Sequence, residues 1–347
     1  MLKKEKYNHY FSRQIHLIGR ENLLKLKKSK ALVVGAGGLG CNVSHQLANN
    51  GIGLIGIMDG DKIALSNLHR QKNYQEKDIG LKKTSTLIKS IKQNNPFVVL
   101  NDYPYFLTQS PSAKVFKEYD VIIDCTDNQE IKYLINDLCI YFKKPLVFGA
   151  IQQHEGQVSV FNFNNGPSLR CAFPYVNQLT DISCDQLGTM EIITSTIASM
   201  QVVECLNLLL KKKSKLNGNL LHVNVLDHTN TLFKIKKNST NLSIKLDLNL
   251  KSSLISANDF DKALKLEEHQ FIDLRKISEI PKIRHKNLRR ISVDKLKQNM
   301  SKKDISNKII VFCQSGKRSS KAIKILEDLG YENTFQLKGG INSLTKQ

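Results

Sequence analysis

The chain has 347 residues, which sets an expectation of about two domains, each able to bury its own core. Its 52 Lys and Arg outnumber 31 Asp and Glu for a formal net charge of +21, but the basic residues are spread out, with short clusters only at 211–213 and 289–290. No arginine-rich arm or zinc-finger spacing supports nucleic-acid binding, no long apolar run suits a membrane span, and seven irregularly spaced cysteines argue against a disulfide framework. The charge fits a Lys- and Asn-rich composition, or attraction to an acidic partner or to phosphates. The first residues carry no apolar signal region, so a cytoplasmic protein with free thiols is expected.

Apolar runs alternate with helical stretches through the first half. Residues 31–34 read as a strand, followed by a helix over about 39–50. Residues 54–58 read as a second strand, followed by a loop and a helix near 81–92. A strand at 121–124, a helix near 129–142 and a strand at 146–148 continue the alternation, which implies parallel pairing and a doubly wound α/β sheet. After Gly156 the pattern changes to hairpin-like strands at 157–161, 220–225 and 231–235, separated by a long apolar helix over 190–210. Lys236 to about Ser256 is polar, and 237–255 is expected to be a linker, although Leu242, Ile244, Leu246 and Leu248 alternate like a strand. The expected domains are therefore 1–236 and a smaller α/β unit over 256–347.

Gly35-Ala-Gly37-Gly38-Leu-Gly40 follows the first strand and opens the first helix of the alternation, an arrangement that brings backbone close to phosphates. Asp59 ends the next strand, placed for ribose hydroxyls. Alone, these features suit a nicotinamide-dependent oxidoreductase. The residues that follow suit triphosphate chemistry better: Ser66-Asn67-Leu68-His69-Arg70, then Lys83, then Asp127-Asn128 at the end of a later strand. Arg and Lys neutralise phosphates, and Asp127 is a candidate ligand for Mg²⁺.

With Tyr10-Phe-Ser-Arg13-Gln14, Glu155-Gly-Gln-Val158 and Arg170-Cys-Ala-Phe-Pro174, these motifs run in an order that resembles the MoeB/ThiF family, bacterial relatives of ubiquitin-activating enzymes. The resemblance extends to about Ile235. It implies a Rossmann-like ATP-binding domain and adenylation of the C-terminal glycine of a small ubiquitin-like sulfur-carrier protein. It further implies that Gly35, Gly37, Gly38, Gly40, Asp59, Ser66 to Arg70, Lys83, Asp127 and Asn128 line an ATP site that includes Arg13. Arg70 would reach the nucleotide of the other subunit, implying a homodimer.

The family usually holds a structural zinc between two Cys-x-x-Cys pairs. Here the first pair reads Ser168-Leu-Arg-Cys171, and Cys313 is the sole cysteine after Cys205. One thiol does not make a closed zinc site. No structural zinc is expected, and packing is expected to hold the 220–235 hairpin. Cys184, in the loop Asp181-Ile-Ser-Cys184-Asp-Gln-Leu-Gly188, is a candidate catalytic thiol by the resemblance, with an inert loop thiol as the alternative. Cys41, Cys125, Cys139 and Cys205 sit on apolar segments and are expected to pack as small hydrophobes.

Near the C-terminus, the apolar run 309–312 leads into Cys313-Gln-Ser-Gly-Lys-Arg318-Ser-Ser and an amphipathic stretch around 322–326. That reads as strand, tight loop, helix. A cysteine at a helix N-terminus near Lys317 and Arg318 favours thiolate. With Phe271-Ile-Asp273-Leu-Arg275 and Leu337-Lys-Gly339-Gly340, the segment resembles a rhodanese domain. Four residues between Cys313 and Arg318 match a loop built around a persulfide, whereas cysteine phosphatases use five. The usual Gly-His-Ile-Pro-Gly-Ala stretch is not recognisable near Ile283, and no tryptophan follows Gly340.

Together these readings predict a two-step enzyme using ATP and Mg²⁺, with Arg13, Arg70, Asp127, Cys184, Cys313 and Arg318 as catalytic candidates. The expected product is a carrier thiocarboxylate, in thiamine or molybdopterin biosynthesis, from a persulfide supplied by a cysteine desulfurase or thiosulfate. The rival readings are a nucleotide-binding scaffold with a degenerate sulfur domain and the nicotinamide-dependent oxidoreductase.

Overall fold

The computed structural model describes residues 3–107, 112–174, 188–242, 254–266, 269–300, 308–331 and 333–344. The chain divides into two compact units, 1–248 and 249–347.

The first unit opens with helices α1 (Lys3–Tyr10), α2 (Ser12–Ile18) and α3 (Arg20–Lys28). Its sheet contains β1 (Lys30–Val34), β2 (Leu54–Met58), β3 (Val99–Tyr103), β4 (Val121–Asp124), β5 (Leu146–Gln152), β6 (Glu155–Phe161), β7 (Asn219–Asn224) and β8 (Thr229–Lys234). The spatial order is β3-β2-β1-β4-β5-β6-β7-β8. The first five strands are parallel and the last three add on antiparallel.

The parallel strands are apolar on both faces because helices cover both. Along β1, Ala31 and Val33 join one core with Leu47 and Ile197, while Leu32 and Val34 join the other with Phe116 and Leu138. Among the described residues the unit also has helices α4 (Gly38–Asn49), α5 (Lys83–Asn94), α6 (Gln129–Tyr141), the short α7 (Leu169–Ala172) and α8 (Glu191–Leu209). The strand β3 has no counterpart in the sequence reading. It is a sheet edge carrying Asn101 and Asp102, so neither burial nor apolar continuity marks it.

By length and hydropathy α8 is apolar enough to cross a membrane, yet half of it is buried inside the unit. Ile193, Ile197, Ala198, Val202, Cys205 and Leu208 pack inward, which marks a core helix. Ile192 and Val203 remain exposed.

In the second unit all pairings among the described residues are parallel: β11 (Leu288–Arg290), β10 (Gln270–Asp273), β12 (Ile309–Phe312), β13 (Thr334–Leu337) and β9 (Leu254–Ile255), in that spatial order. Helices α9 (Ala257–Ala263), α10 (Leu296–Asn299) and α11 (Lys317–Asp328) accompany the sheet. Phe260, Phe271 and Phe312 pack edge to face in one core, and Leu296, Val311 and Leu326 form the other.

Each sheet reverses its direction of strand addition once. In the first unit the reversal lies between β1 and β4, and in the second between β10 and β12. Ligands bind at such switch points, outside the carboxyl ends of the strands. Those ends carry the Gly35 loop and Cys125–Asn128 in one unit, and Asp273–Arg275 and the Cys313 loop in the other.

Candidate functional site

The glycine loop of the first unit is shaped by close backbone approach. Gly35 has φ +98°, and a Cβ there would lie 2.6 Å from the Cys125 carbonyl oxygen. A Cβ on Gly40 would sit 1.8 Å from the Gly35 carbonyl oxygen, and one on Gly38 would lie 2.8 Å from Thr194 Cγ2. Gly37, which caps α4, has only Gln71 Nε2 within 4 Å of that position, at 3.8 Å. The loop is therefore packed from behind and open in front, where the α4 amides point at any bound anion.

Asp59 ties the loop to β2. Its carboxylate accepts from the Ala36 N–H at 2.7 Å and the Asp61 N–H at 2.7 Å. Burial pushes the carboxyl above the usual carboxylate value, although Lys83 and both N–H groups act the other way. Lys83, largely buried at the start of α5, donates to Asp61 at 2.9 Å. Burial works to lower its pKa, but the Asp59 and Asp61 carboxylates prevail and leave it raised. The Tyr74 hydroxyl donates to the Ala36 carbonyl at 2.9 Å and the Lys83 carbonyl at 3.2 Å, closing the base of the site.

Ser66 and Asn67 lie on a 3-10 turn over Leu65–Asn67. Asn67 Oδ1 accepts from the Ala64 N–H, Ser66 and His69 are exposed, and Leu68 packs against the core. Arg70 donates to the Ser66 carbonyl at 2.9 Å. Asp127 and Asn128 are exposed at the end of β4, and Asn128 caps α6 by accepting from the Ile131 N–H. The structure thus gathers the glycines, Asp59 and Lys83, with the Asp127 loop abutting Gly35 through Cys125.

Arg13 is not brought to this cluster within one chain. It is exposed on α2, and its neighbour Gln14 donates to the Asn50 carbonyl, just past the C-terminal end of α4. At 1.5 Å per residue, that end lies about 18 Å from the glycine loop. Cys184 lies outside the described residues.

Three contributors escape sequence reading. Lys132 is nearly buried, donating to Asp124 Oδ2 at 3.0 Å and to the Gly149 carbonyl at 2.7 Å. Gln201 donates to the Asp124 carbonyl at 2.8 Å, and its polarity within an apolar helix was the available signal. Gln71 is 2% exposed, and its Oε1 has no hydrogen-bond partner among the described residues while its amide nitrogen faces Gly37. A buried amide oxygen without a partner is costly. Beside Lys132, a hollow of about 170 Å³ is lined by Gln129, Tyr133, Phe148, Gln157 and Phe173.

In the second unit, Cys313 is buried at the end of β12, beneath a turn in which Gly316 has φ +91° and caps α11. The Gly316 N–H points at Sγ from 3.1 Å, and the Ser319 hydroxyl lies 3.7 Å away. Burial pushes the thiol up, but the Ser319 N–H and hydroxyl and the N–H groups of Ser315 and Gly316 outweigh it and leave the pKa below the ordinary value. The expected contribution of Arg318 is smaller than the sequence suggests, because its guanidinium is held by Glu279, at 2.8 Å through Nη1, and by the Leu274 carbonyl.

Beneath the loop, Asp273 is fully buried between Arg275 at 2.9 Å and Arg290 at 3.0 Å. Arg275 reaches on to Gln314 Oε1 at 3.4 Å, next to the cysteine. Ile341 and Asn342 donate backbone N–H bonds to the Cys313 and Gln314 carbonyls. A Cβ on Gly340 would meet the Cys313 carbonyl oxygen at 2.5 Å, which explains that glycine, while Gly339 has φ +73°.

Residues 11–244 match the ThiF family, and residues 256–347 match the rhodanese-like domain. The chain belongs to the ThiF family. A Xenopus laevis protein named adenylyltransferase and sulfurtransferase MOCS3 is 30% identical over 381 residues, covering 95% of this chain and 84% of that protein. An Aedes aegypti protein of the same name is 41% identical over 214 residues, covering 61% of this chain and 49% of its own length. The chain spans about half the length of such insect relatives. A Thermus thermophilus sulfur carrier protein adenylyltransferase is 34% identical over 242 residues, covering 68% of this chain and 89% of that protein. The crystal structure of E. coli MccB with ATP aligns with a TM-score of 0.57 at 18% identity, covering 67% of this chain and 73% of that one, a likeness of fold alone.

Proposed function

We propose that the first unit adenylates the C-terminal glycine carboxylate of a small sulfur-carrier protein ending in Gly-Gly, and that Cys313 supplies sulfur to the adenylate. One combination carries this reading: a single chain holds an open phosphate loop backed by Asp59 and Lys83, and a thiol whose pKa is lowered by backbone N–H groups and the Ser319 hydroxyl. Neither a nicotinamide oxidoreductase nor an inert scaffold needs the second feature.

In this reading ATP is the substrate whose phosphates lie over Gly37 and the α4 amides, with Gln71 at the flank and Arg70 reaching the nucleotide of a second copy. Asp127, an exposed hard oxygen donor, would hold Mg²⁺, which when bound neutralises phosphate charge. The carrier carboxylate attacks the α-phosphorus and pyrophosphate leaves. The hollow beside Lys132 is the place we assign to the carrier tail, since two glycines need little width. Arg13, held far from its own glycine loop, is supplied by a second copy in a homodimer.

The terminal sulfur of a Cys313 persulfide then attacks the acyl carbon, and AMP leaves with the carbon–oxygen bond. The product is an acyl disulfide to Cys313. A second thiolate, which we assign to Cys184, attacks Cys313 Sγ and releases the carrier as a thiocarboxylate. The two enzyme thiols are left as a disulfide, which an external thiol must reduce before Cys313 is recharged by a desulfurase or by thiosulfate. The carriers of thiamine or molybdopterin biosynthesis have the required chemistry. ATP–pyrophosphate exchange with a Gly-Gly-ended carrier tests the first half: Asp127→Ala should abolish it, and full exchange in that variant would overturn the assignment of the site.

A further inference from the structure

After β8 the chain turns back onto the first unit instead of leaving it. Residues Ser239–Leu242 form a 3-10 turn against α7, and two pairs of residues three apart face one another there: Ser168 with Cys171, and Asn238 with Asn241. Their hydrogen bonds interlock. Ser168 Oγ donates to the Asn241 carbonyl at 3.1 Å, and Asn241 Nδ2 donates to the Arg170 carbonyl at 3.0 Å. The Asn238 N–H donates to Cys171 Sγ at 3.3 Å, while that thiol lies 3.6 Å from the Asn238 carbonyl and 3.5 Å from Ser168 Oγ. Asn238 Oδ1 accepts from the N–H and hydroxyl of Thr240, which fixes the turn.

The resemblance to the ThiF family implies zinc between two Cys-x-x-Cys pairs. The donor set here does not fit that ion, since one thiol, one hydroxyl and two carboxamides do not form a closed tetrahedral thiolate site. Packing reaches the hairpin through Leu220, Val223 and Ile235, while every residue of β8 itself is exposed.

We infer that Ser168, Cys171, Asn238 and Asn241 form a metal-free clasp in which interlocked hydrogen bonds take the place of a zinc ion. The clasp fastens the chain after β8 to α7. Arg170 of α7 in turn binds Asp137 of α6 through two bonds, at 2.9 and 2.7 Å, and lies over the Tyr133 ring at 4.9 Å. Tyr133 donates to the Phe173 carbonyl at 2.8 Å, so the clasp braces one wall of the hollow beside Lys132.

The full chain tests this directly. Wild-type protein purified with added zinc chloride should retain less than about a tenth of a zinc per chain, and a chelator should not move its Tm. Ser168→Cys/Asn238→Cys/Asn241→Cys restores two Cys-x-x-Cys pairs. It should take up about one zinc per chain and acquire a chelator-dependent Tm. Stoichiometric zinc in the wild type would overturn the inference, as would a folded triple variant that takes none. As a check independent of that variant's folding, Cys171→Ala should speed hydrogen exchange at the Asn238 amide at least tenfold. Unchanged protection there would show that the thiol does not hold the turn.

Discussion

Replacing Lys132 with Met should destabilise the first unit by about 3 kcal/mol. The side chains of Lys132 and Asp124 are 11% and 0% exposed, and they meet at 3.0 Å. Removing one partner of such a buried pair typically costs about 3–5 kcal/mol, because the remaining charge is left uncompensated. That range already includes the lost bond to the Gly149 carbonyl, worth roughly 1 kcal/mol. Against this, Asp124 keeps the Thr126 N–H at 2.9 Å and hydroxyl at 2.7 Å, which places the expectation at the lower end. For a unit of this size, about 3 kcal/mol corresponds to a fall in Tm of roughly 6–12 °C. Calorimetry of the full chain reads it, with the first unit's transition assigned by its shift on adding ATP. Asp124→Asn/Lys132→Met buries no charge and should recover at least half of the loss. A single variant within about 1 °C of wild type, or a double variant less stable than the single, would refute the pair's role.

Gly37→Ala should leave the Tm unchanged but weaken ATP binding at least tenfold by calorimetric titration, since its Cβ meets only Gln71 Nε2 and would fill the open front of the loop. Gly40→Ala should instead unfold the loop, because its Cβ would collide with the Gly35 carbonyl; equal effects of the two would contradict the packing. Ser319→Ala removes a hydroxyl that lowers the Cys313 pKa, so the pH midpoint of iodoacetamide alkylation should move up and the rate at neutral pH should fall several-fold. Arg318 holds the Glu279 carboxyl down at about 2. A depressed carboxyl contributes stability that is full above the unfolded value, about 4.3, and is lost as pH falls towards about 2. Glu279→Gln should therefore flatten the acid dependence of the second unit's Tm over that window, and an unaltered slope would count against the pair.

Much of the scaffold was legible because parallel strands covered on both faces are apolar throughout. The expected strand at 309–312 and helix start at 129 coincide with β12 and α6. The edge strand β3 was not legible, since Asn101 and Asp102 interrupt its apolar character. The glycine loop announced itself because only glycine tolerates a Cβ position 1.8 Å from a carbonyl oxygen, as at Gly40. Lys132 and Gln71 did not, because burial of a polar side chain leaves no mark in one sequence, and Gln201 left only its polarity within an apolar helix. The lowered Cys313 pKa was expected from the helix N-terminus and its cations. The backbone N–H groups and Ser319 carry it, while Arg318 is engaged by Glu279. Asn238 and Asn241 were invisible as a pair, since in sequence they read as part of a polar linker.

The most direct test of sulfur delivery is intact-mass analysis of a Gly-Gly-ended carrier after a single turnover with ATP and persulfide-loaded enzyme. The wild type should yield the thiocarboxylate, replacing one carrier oxygen with sulfur, while Cys313→Ala should adenylate the carrier and stop there. Thiocarboxylate formed by Cys313→Ala at the wild-type rate would contradict the central role given to Cys313.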